Sequence, residues 1–332
     1  MGASSRLSVR VLVPGDVSAA AALLAGRQRR LRERRPELPA AFADAADCEA
    51  PIRALLERKG AHGVLLEGPD GAAGYLLGYP RTEPIWGRAC WSPIEGSALA
   101  DGVPAEAIRD LYAAWSEHFV TRGMFLHYAH APVDDPELMA AWVRTGFGQM
   151  QAHAVRDLDL AAPALPGVTI RRVETDEIDF VTPLLPLIAH QLMRPPAYAA
   201  RMPEEVASYR ESWREELAEE EAHHWLAEED GRALSMATFY AADPGPMVPD
   251  RAWELAVAMT LPEARGRGLM RAIVATGFAE ARDAGAEHCI TDWRTASLPT
   301  HRSWTALGFR PTHYRMHRHI DERIIWADAP DS

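Results

Sequence analysis

Residues 251–270 read RAWELAVAMTLPEARGRGLM. Apolar residues alternate along Trp253, Leu255, Val257, Met259 and Leu261, the period-two signature of a strand. Pro262 ends the ladder, because proline has no N–H to donate. Arg265-Gly266-Arg267-Gly268 follows, and then Leu269, Ile273, Ala275, Gly277-Phe278 and Ala281 recur at helical spacing. A strand feeding a glycine-rich turn that opens a helix aims several backbone N–H groups at one point. Unpaired amides and the helix dipole together favour a phosphate there. Glycine lets the backbone approach closely, and two arginines add positive charge.

Outward from this stretch the chain repeats itself. Trp142, Gly146 and Phe147 share W-x-x-x-G-F with Trp304, Gly308 and Phe309, 162 positions later. Gly123 and Gly285, and Trp91 and Trp253, keep the same offset, and Ser8-Val9-Arg10 matches Thr169-Ile170-Arg171 at 161. Four landmarks at nearly one offset predict two copies of one fold. The expected division is a first copy over 1–160, a Pro-rich linker over 161–167 and a second copy over 168–332. Strands are expected over Ile85–Ser92 in the first copy and His288–Trp293 in the second. Residues 103–108, Val-Pro-Ala-Glu-Ala-Ile, stand where the second copy has its glycine turn. They lack glycine and arginine, and Glu106 would repel a phosphate. The first copy therefore reads as a scaffold without the loop.

Strand, P-x-x-R-G-x-G, helix and a downstream W-x-x-x-G-F together resemble the acyl-CoA loop of the GNAT N-acetyltransferases, Arg/Gln-x-x-Gly-x-Gly/Ala. Arg265, Gly268 and Met270 take the three places, and Met270 departs from the small residue usual at the third. The resemblance implies an α/β (α+β) fold of two tandem GNAT-like domains, each a twisted, mixed, mostly antiparallel sheet flanked by helices. It implies an acetyl-CoA-dependent N-acetyltransferase whose second copy passes an acetyl group directly to the primary amine of a small molecule in a ternary complex. A non-catalytic acyl-CoA binding or sensing module is the alternative. Acetyl-CoA would lie on Met259, Thr260 and Leu261 of the strand and on Arg265, Gly266, Arg267, Gly268, Leu269 and Met270 of the turn. Met259 or Thr260 would give an amide to the thioester carbonyl, and Ser297 and Arg302 are placed near the pantetheine or phosphates. Glu254, the one carboxylate on the strand, is the candidate base. Strand parity sets it on the face of Ala256 and Ala258, small residues that leave room for substrate. The family's tyrosine acid falls at Trp304, whose indole N–H is not an acid near neutrality. Ser303, His301 and Tyr314 are the substitutes nearby. The segment Met193–Trp213, with Tyr198, Tyr209 and Trp213, corresponds to the region that shapes the acceptor site in the family.

Composition bounds the rest. The chain has 332 residues, 48% hydrophobic and 25% charged, as in ordinary globular domains. A formal charge of −12 argues against a nucleic-acid footprint and is compatible with a cationic substrate. No apolar run approaches the ~20 residues of a membrane span, and no signal core is read at Met1–Arg10, so a cytoplasmic protein is expected. Cys48, Cys90 and Cys289 are too few and too scattered for a disulfide framework. His313, His317 and His319 share strand parity without a carboxylate or cysteine at ligand spacing, so no metal is expected. The acidic run Glu215-Glu216 and Glu219-Glu220-Glu221 reads as a solvated helix face, with the mouth of a site for a cationic amine as the alternative. A pseudo-dimeric monomer or a homodimer fits two copies in one chain.

Overall fold

The computed structural model describes residues 7–83 and 86–327. The first repeat runs β1 (Ser8–Val11), α1 (Val17–Arg34), α2 (Ala45–Leu56), β2 (His62–Gly68), β3 (Gly71–Glu83), β4 (Gly87–Ser92), β5 (Ser97–Leu99), α3 (Ala107–Val120), β6 (Leu126–Pro132), α4 (Pro136–Arg144) and β7 (Gly148–Asp157). The second runs β8 (Thr169–Arg172), α5 (Ile178–Val181), α6 (Leu187–Met193), α7 (Pro203–Leu217), β9 (His223–Glu229), β10 (Arg232–Ala241), β11 (Ala252–Thr260), α8 (Leu269–Asp283), β12 (His288–Arg294), α9 (Leu298–Ala306) and β13 (Arg310–His319). The strand expected over Ile85–Ser92 is seen from Gly87; Ile85 lies outside the described residues. α4 and α9, and β7 and β13, stand 162 positions apart at both ends.

Two compact units form, and neither is contiguous in sequence. The first holds residues 1–150, 245–247 and 312–332; the second holds 151–244 and 248–311. The repeats have thus exchanged their final strands. In the first unit the sheet order is β1-β2-β3-β4-β6-β13, with β5 on β3. β4 lies parallel to β6, and the exchanged β13 lies antiparallel to β6 from His313↔Pro132 to His319↔Leu126. In the second unit the order is β7-β12-β11-β10-β9-β8. β11 lies parallel to β12, and the exchanged β7 lies antiparallel to β12 from His288↔Asp157 to Arg294↔Gln151.

In the first unit both faces of β2 are buried, so its apolar run is continuous. Val64 and Leu66 join the α3–α4 side with Trp115, Trp142 and Phe147, while Leu65 joins α1 and α2 with Leu24 and Ile52. Gln28 of α1 donates from Nε2 to the Pro246 carbonyl at 2.8 Å, which ties the 245–247 segment to this unit. At the start of α3, Glu106 binds Arg109 (2.8 Å) and Arg144. The place of the glycine turn is occupied here by an ion-paired carboxylate.

In the second unit α8 covers one face of the sheet. Phe239 of β10 meets Phe278 of α8 with ring centroids 6.4 Å apart, and Phe278 meets Phe309 at 6.4 Å. Trp304 closes the row 5.7 Å from Phe309, which gives it a packing role. A Cβ on Gly277 would stand 2.6 Å from the Phe239 ring, so only glycine admits the helix this close. On the other face, α6 packs against β11, and the Trp213 ring of α7 stands 6.4 Å from His224 of β9. Pro183 and Pro186 separate α5 from α6. No described helix is long and apolar enough to cross a membrane.

Candidate active site

β11 and β12 are paired over three positions, Ala252↔His288, Trp253↔Cys289 and Glu254↔Ile290. The Thr291 hydroxyl then donates to the Leu255 carbonyl at 2.8 Å. Beyond it the register between these two strands ends, while β11 continues to Thr260 on β10 and β12 to Arg294 on β7. The divergence begins at a bulge. Phe239 pairs with Leu255 and Thr238 with Val257, so Ala256 is an extra residue on β11. Ala256 is exposed, and Val257 and Ala258 are half-exposed, although their strand lies inside the sheet.

The bulge corrects the expected parity. Opposite Glu254 stands Tyr240, opposite Val257 stands Thr238, and opposite Met259 stands Met236. Val257 and Met259 therefore share the face of Glu254, and Ala258 shares that of Leu255. One inserted residue reverses the alternation for everything after it. The face of Glu254 is the one away from α8.

The edge left open by the splay carries the amides of alternate residues. Leu261 donates its N–H to the Leu234 carbonyl at 2.9 Å. Antiparallel alternation then turns the Met259 N–H toward β10 and the Thr260 N–H toward the open edge. Of the two amide donors expected, Thr260 has the suitable direction. Its hydroxyl is engaged by Ser235 at 2.7 Å, and the Leu261 side chain is buried.

At the end of β11 a short turn over Pro262–Ala264 leads into the glycine loop. Gly266 (φ +77) and Gly268 (φ +84) are both left-handed, a conformation that costs other residues about 1–2 kcal/mol. Gly268 is the N-cap of α8 and no side chain caps the helix. The first helical bond runs from the Ala272 N–H to the Gly268 carbonyl at 3.0 Å. The amides of Leu269, Met270 and Arg271 lie ahead of that bond, as at any helix start. A Cβ on Gly266 would meet nothing within 4 Å, so the loop's outer side is open. Arg265 is exposed, with Nε 3.4 Å from the Thr260 carbonyl. Arg267 is held by both oxygens of Glu229, at 2.6 and 2.9 Å. Leu269 is buried and Met270 half-buried, so their contribution to an outside ligand is through the backbone.

Glu254 is half-buried on β11. Burial, followed by the Asp292 and Asp243 carboxylates, holds its carboxyl above the usual carboxylate range. Tyr240 beside it donates its hydroxyl to Glu216 of α7. Burial and the carboxylates of Glu216, Glu219 and Glu254 raise the Tyr240 phenol. Two members of the acidic run thus bear on Tyr240. Tyr198 is exposed in the segment between α6 and α7, and Tyr209 and Trp213 are half-buried on α7.

The remaining expected residues are scattered. Ser297 is buried, its hydroxyl 2.7 Å from that of Thr300. Arg302, His301 and Ser303 lie on the exposed side of α9, and the Ser303 hydroxyl donates to the Pro299 carbonyl at 2.9 Å. Tyr314 belongs to the first unit, on β13 opposite Ala131, against that unit's core. Among the described residues no group of three or more His, Cys, Asp or Glu is arranged to hold a metal ion. Sequence reasoning did not single out Tyr240, Asp243 or Asp292. Asp292 sits two residues past Ile290 on an expected strand, and pairing that strand with β11 was the missing step.

Residues 188–309 match the model of the acetyltransferase (GNAT) family. No protein of curated function matches the chain in sequence. Among solved structures, a GCN5-related N-acetyltransferase from Sphaerobacter thermophilus is similar at 17% identity and TM-score 0.59, over 94% of this chain and 95% of that one. A tandem GNAT protein from the clavulanic acid biosynthesis pathway is similar at 16% identity and TM-score 0.52, over 98% of this chain and 100% of that one. A glucosamine N-acetyltransferase region of a fungal β-N-acetylglucosaminidase reaches 14% identity and TM-score 0.54, over 95% of this chain and 38% of that one. The fold is the tandem GNAT fold, and the domain matched by the family model contains the splayed strands and the glycine loop.

Proposed function

With a GNAT-family domain over residues 188–309 as the premise, we propose that the second unit binds acetyl-CoA and transfers its acetyl group to the primary amine of a small molecule. The reading rests on one arrangement: a half-buried carboxylate, an open strand edge and an uncapped helix start follow one another along β11 and α8. The pyrophosphate lies on the amides of residues 266–270, with Arg265 beside it. The pantetheine enters between β11 and β12, and the Thr260 N–H holds the thioester oxygen. Glu254 takes a proton from the bound ammonium, and the neutral nitrogen attacks the thioester carbon. The nitrogen–carbon bond forms, the carbon–sulfur bond breaks, and CoA leaves as a thiolate. A thiolate is a stable leaving group near pH 8, so water can protonate it without a dedicated acid. A raised carboxyl pKa suits a base that works near neutrality. Asp243, Asp292, Glu216 and Glu219 favour an acceptor that arrives as a cation.

The test is release of free CoA, measured with a thiol reagent across a panel of small primary amines. Wild type is expected to release CoA in an amine-dependent way. Glu254→Gln should lose about 10²–10⁴-fold in kcat/KM while binding acetyl-CoA as before. Tight acetyl-CoA binding with no amine-dependent release across the panel would instead establish a non-catalytic acyl-CoA binding module.

A further inference from the structure

The second unit contains a group that neither repeat would bring to the site within its own sequence. β7 is the last strand of the first repeat, yet its residues 151–157 pair with β12. Its register sets His153 opposite Asp292 and Val155 opposite Ile290. Ile290 is the residue that pairs with Glu254. Side chains two apart on a strand share a face, so His153, Asp292 and Glu254 all lie on the acceptor side. The next residue confirms the alternation: Arg156 pairs with Cys289 and its guanidinium stacks over the Phe278 ring of α8 at 5.1 Å, on the other face. His153 Nδ1 stands 3.9 Å from Asp292 Oδ2, with 22% of the histidine side chain and 40% of the aspartate exposed.

We propose that His153 is a positioning residue for Glu254, acting through Asp292: it faces this carboxylate and so limits the negative charge that Glu254 meets. The role rests on Glu254 being the base of the proposed reaction. Other groups face the same carboxyl. Tyr240 lies on β10, Asp243 follows it, Glu216 of α7 accepts from Tyr240, Glu219 just past α7 adds its charge, and α6, packed against β11, carries the exposed His190. Nearly all of them are acidic or neutral. A histidine ring opposite Asp292 offsets part of that carboxylate's field, so the base is driven up less far. On this account the first repeat is kept partly for what its last strand carries. It lacks the glycine turn, but it supplies a side chain that the second repeat's site uses.

The full-length protein, labelled with ¹³C-carboxyl glutamate, tests this without turnover. The Glu254 resonance is identified by its loss in Glu254→Gln, and its titration midpoint is followed in the variants. For charges on neighbouring strands, effects of about half to one pH unit are expected. Asp292→Asn should lower the midpoint. His153→Gln should raise it, His153→Lys should return it toward wild type, and the Asp292→Asn/His153→Gln double variant should match Asp292→Asn alone. A general loss of structure would move both single variants the same way, and thermal unfolding of each variant identifies that case. The proposal is overturned if His153→Gln leaves the midpoint in place or lowers it, or if His153→Gln still shifts it once Asp292 is gone. Since the readout is a carboxyl titration, an absence of acetyl transfer would count against the enzymatic reading and leave this result standing. Where activity is found, the acid limb of kcat/KM should move with the midpoint.

Discussion

Gly266→Ala separates the conformational demand of the glycine loop from its service to a ligand. Gly266 has φ +77, and a Cβ there meets nothing within 4 Å. The substitution therefore costs the left-handed strain of an L-residue, about 1–2 kcal/mol, less the roughly 0.4–1 kcal/mol gained by restricting the unfolded chain. No packing contribution is added. A net cost of about 1 kcal/mol should lower Tm by roughly 2–4 °C for a unit of this size. Gly285, just past the far end of α8, is the control: φ +87, again with nothing within 4 Å of a Cβ. Gly285→Ala should lower Tm by a similar amount. Binding should tell the two apart. A methyl on the open side of the loop keeps a phosphate from one amide, and a hydrogen bond to a charged group contributes about 1.5–3 kcal/mol. Acetyl-CoA affinity should fall about 10- to 150-fold in Gly266→Ala and stay at the wild-type value in Gly285→Ala. Calorimetric titration of both variants checks this. Wild-type affinity in Gly266→Ala, or equal losses in the two, would refute a pyrophosphate seat on these amides.

Acid should weaken the first unit through His127. Its Nε2 lies 3.0 Å from the Met124 carbonyl and its Nδ1 2.8 Å from the Tyr112 hydroxyl, an arrangement that suits the neutral ring. Burial lowers its pKa to about 4. Because the folded value lies below the unfolded one of about 6.5, its stabilisation is complete above pH 6.5 and is lost as pH falls toward 4. The loss amounts to at most about 3 kcal/mol. Trp115, with its ring 5.5 Å from His127, gives a fluorescence reporter, and His127→Asn should flatten the pH dependence. The three thiols should resist a disulfide reagent at pH 8 in the native state and all react in denaturant. Cys48, Cys90 and Cys289 are buried, and burial pushes the Cys48 thiol up to about 11 and raises the other two as well.

What the sequence made legible was local. Pro262 ending a strand, glycines at positive φ and an apolar stripe opening at Leu269 each follow from the chemistry of one or two residues. The repeat was legible as well, because Trp, Gly and Phe at fixed spacing survive divergence. The exchange of β7 and β13 was not. The two strands occupy equivalent places and carry similar alternation, so pattern alone cannot say whether each pairs within its own repeat. The bulge at Ala256 escaped for a related reason. An alanine between Leu255 and Val257 reads as one more strand position, and period-two counting carried the error on to Ala258. Asp292 and Tyr240 meet Glu254 through strand register, which depends on the whole sheet. The acidic run shows the limit of composition: Glu216 stands on a largely exposed helix and Glu219 just past its end, yet both bear on Tyr240.

The exchanged strand also sets a timetable for synthesis. β6 pairs on one side with β4 and on the other with β13, from Pro132 opposite His313. When the ribosome has finished β6, the strand that will cover that edge is still about 180 residues away. At roughly 5–20 residues per second, the wait is about ten to forty seconds. For that interval the emerging first unit presents a strand edge whose residues are mostly buried in the finished protein, a surface that invites pairing with other chains. The nascent chain is therefore expected to depend on chaperone cover until β13 leaves the ribosome. A stop placed at the linker would release that edge without β13, leaving only the equivalent strand β7 to cover it.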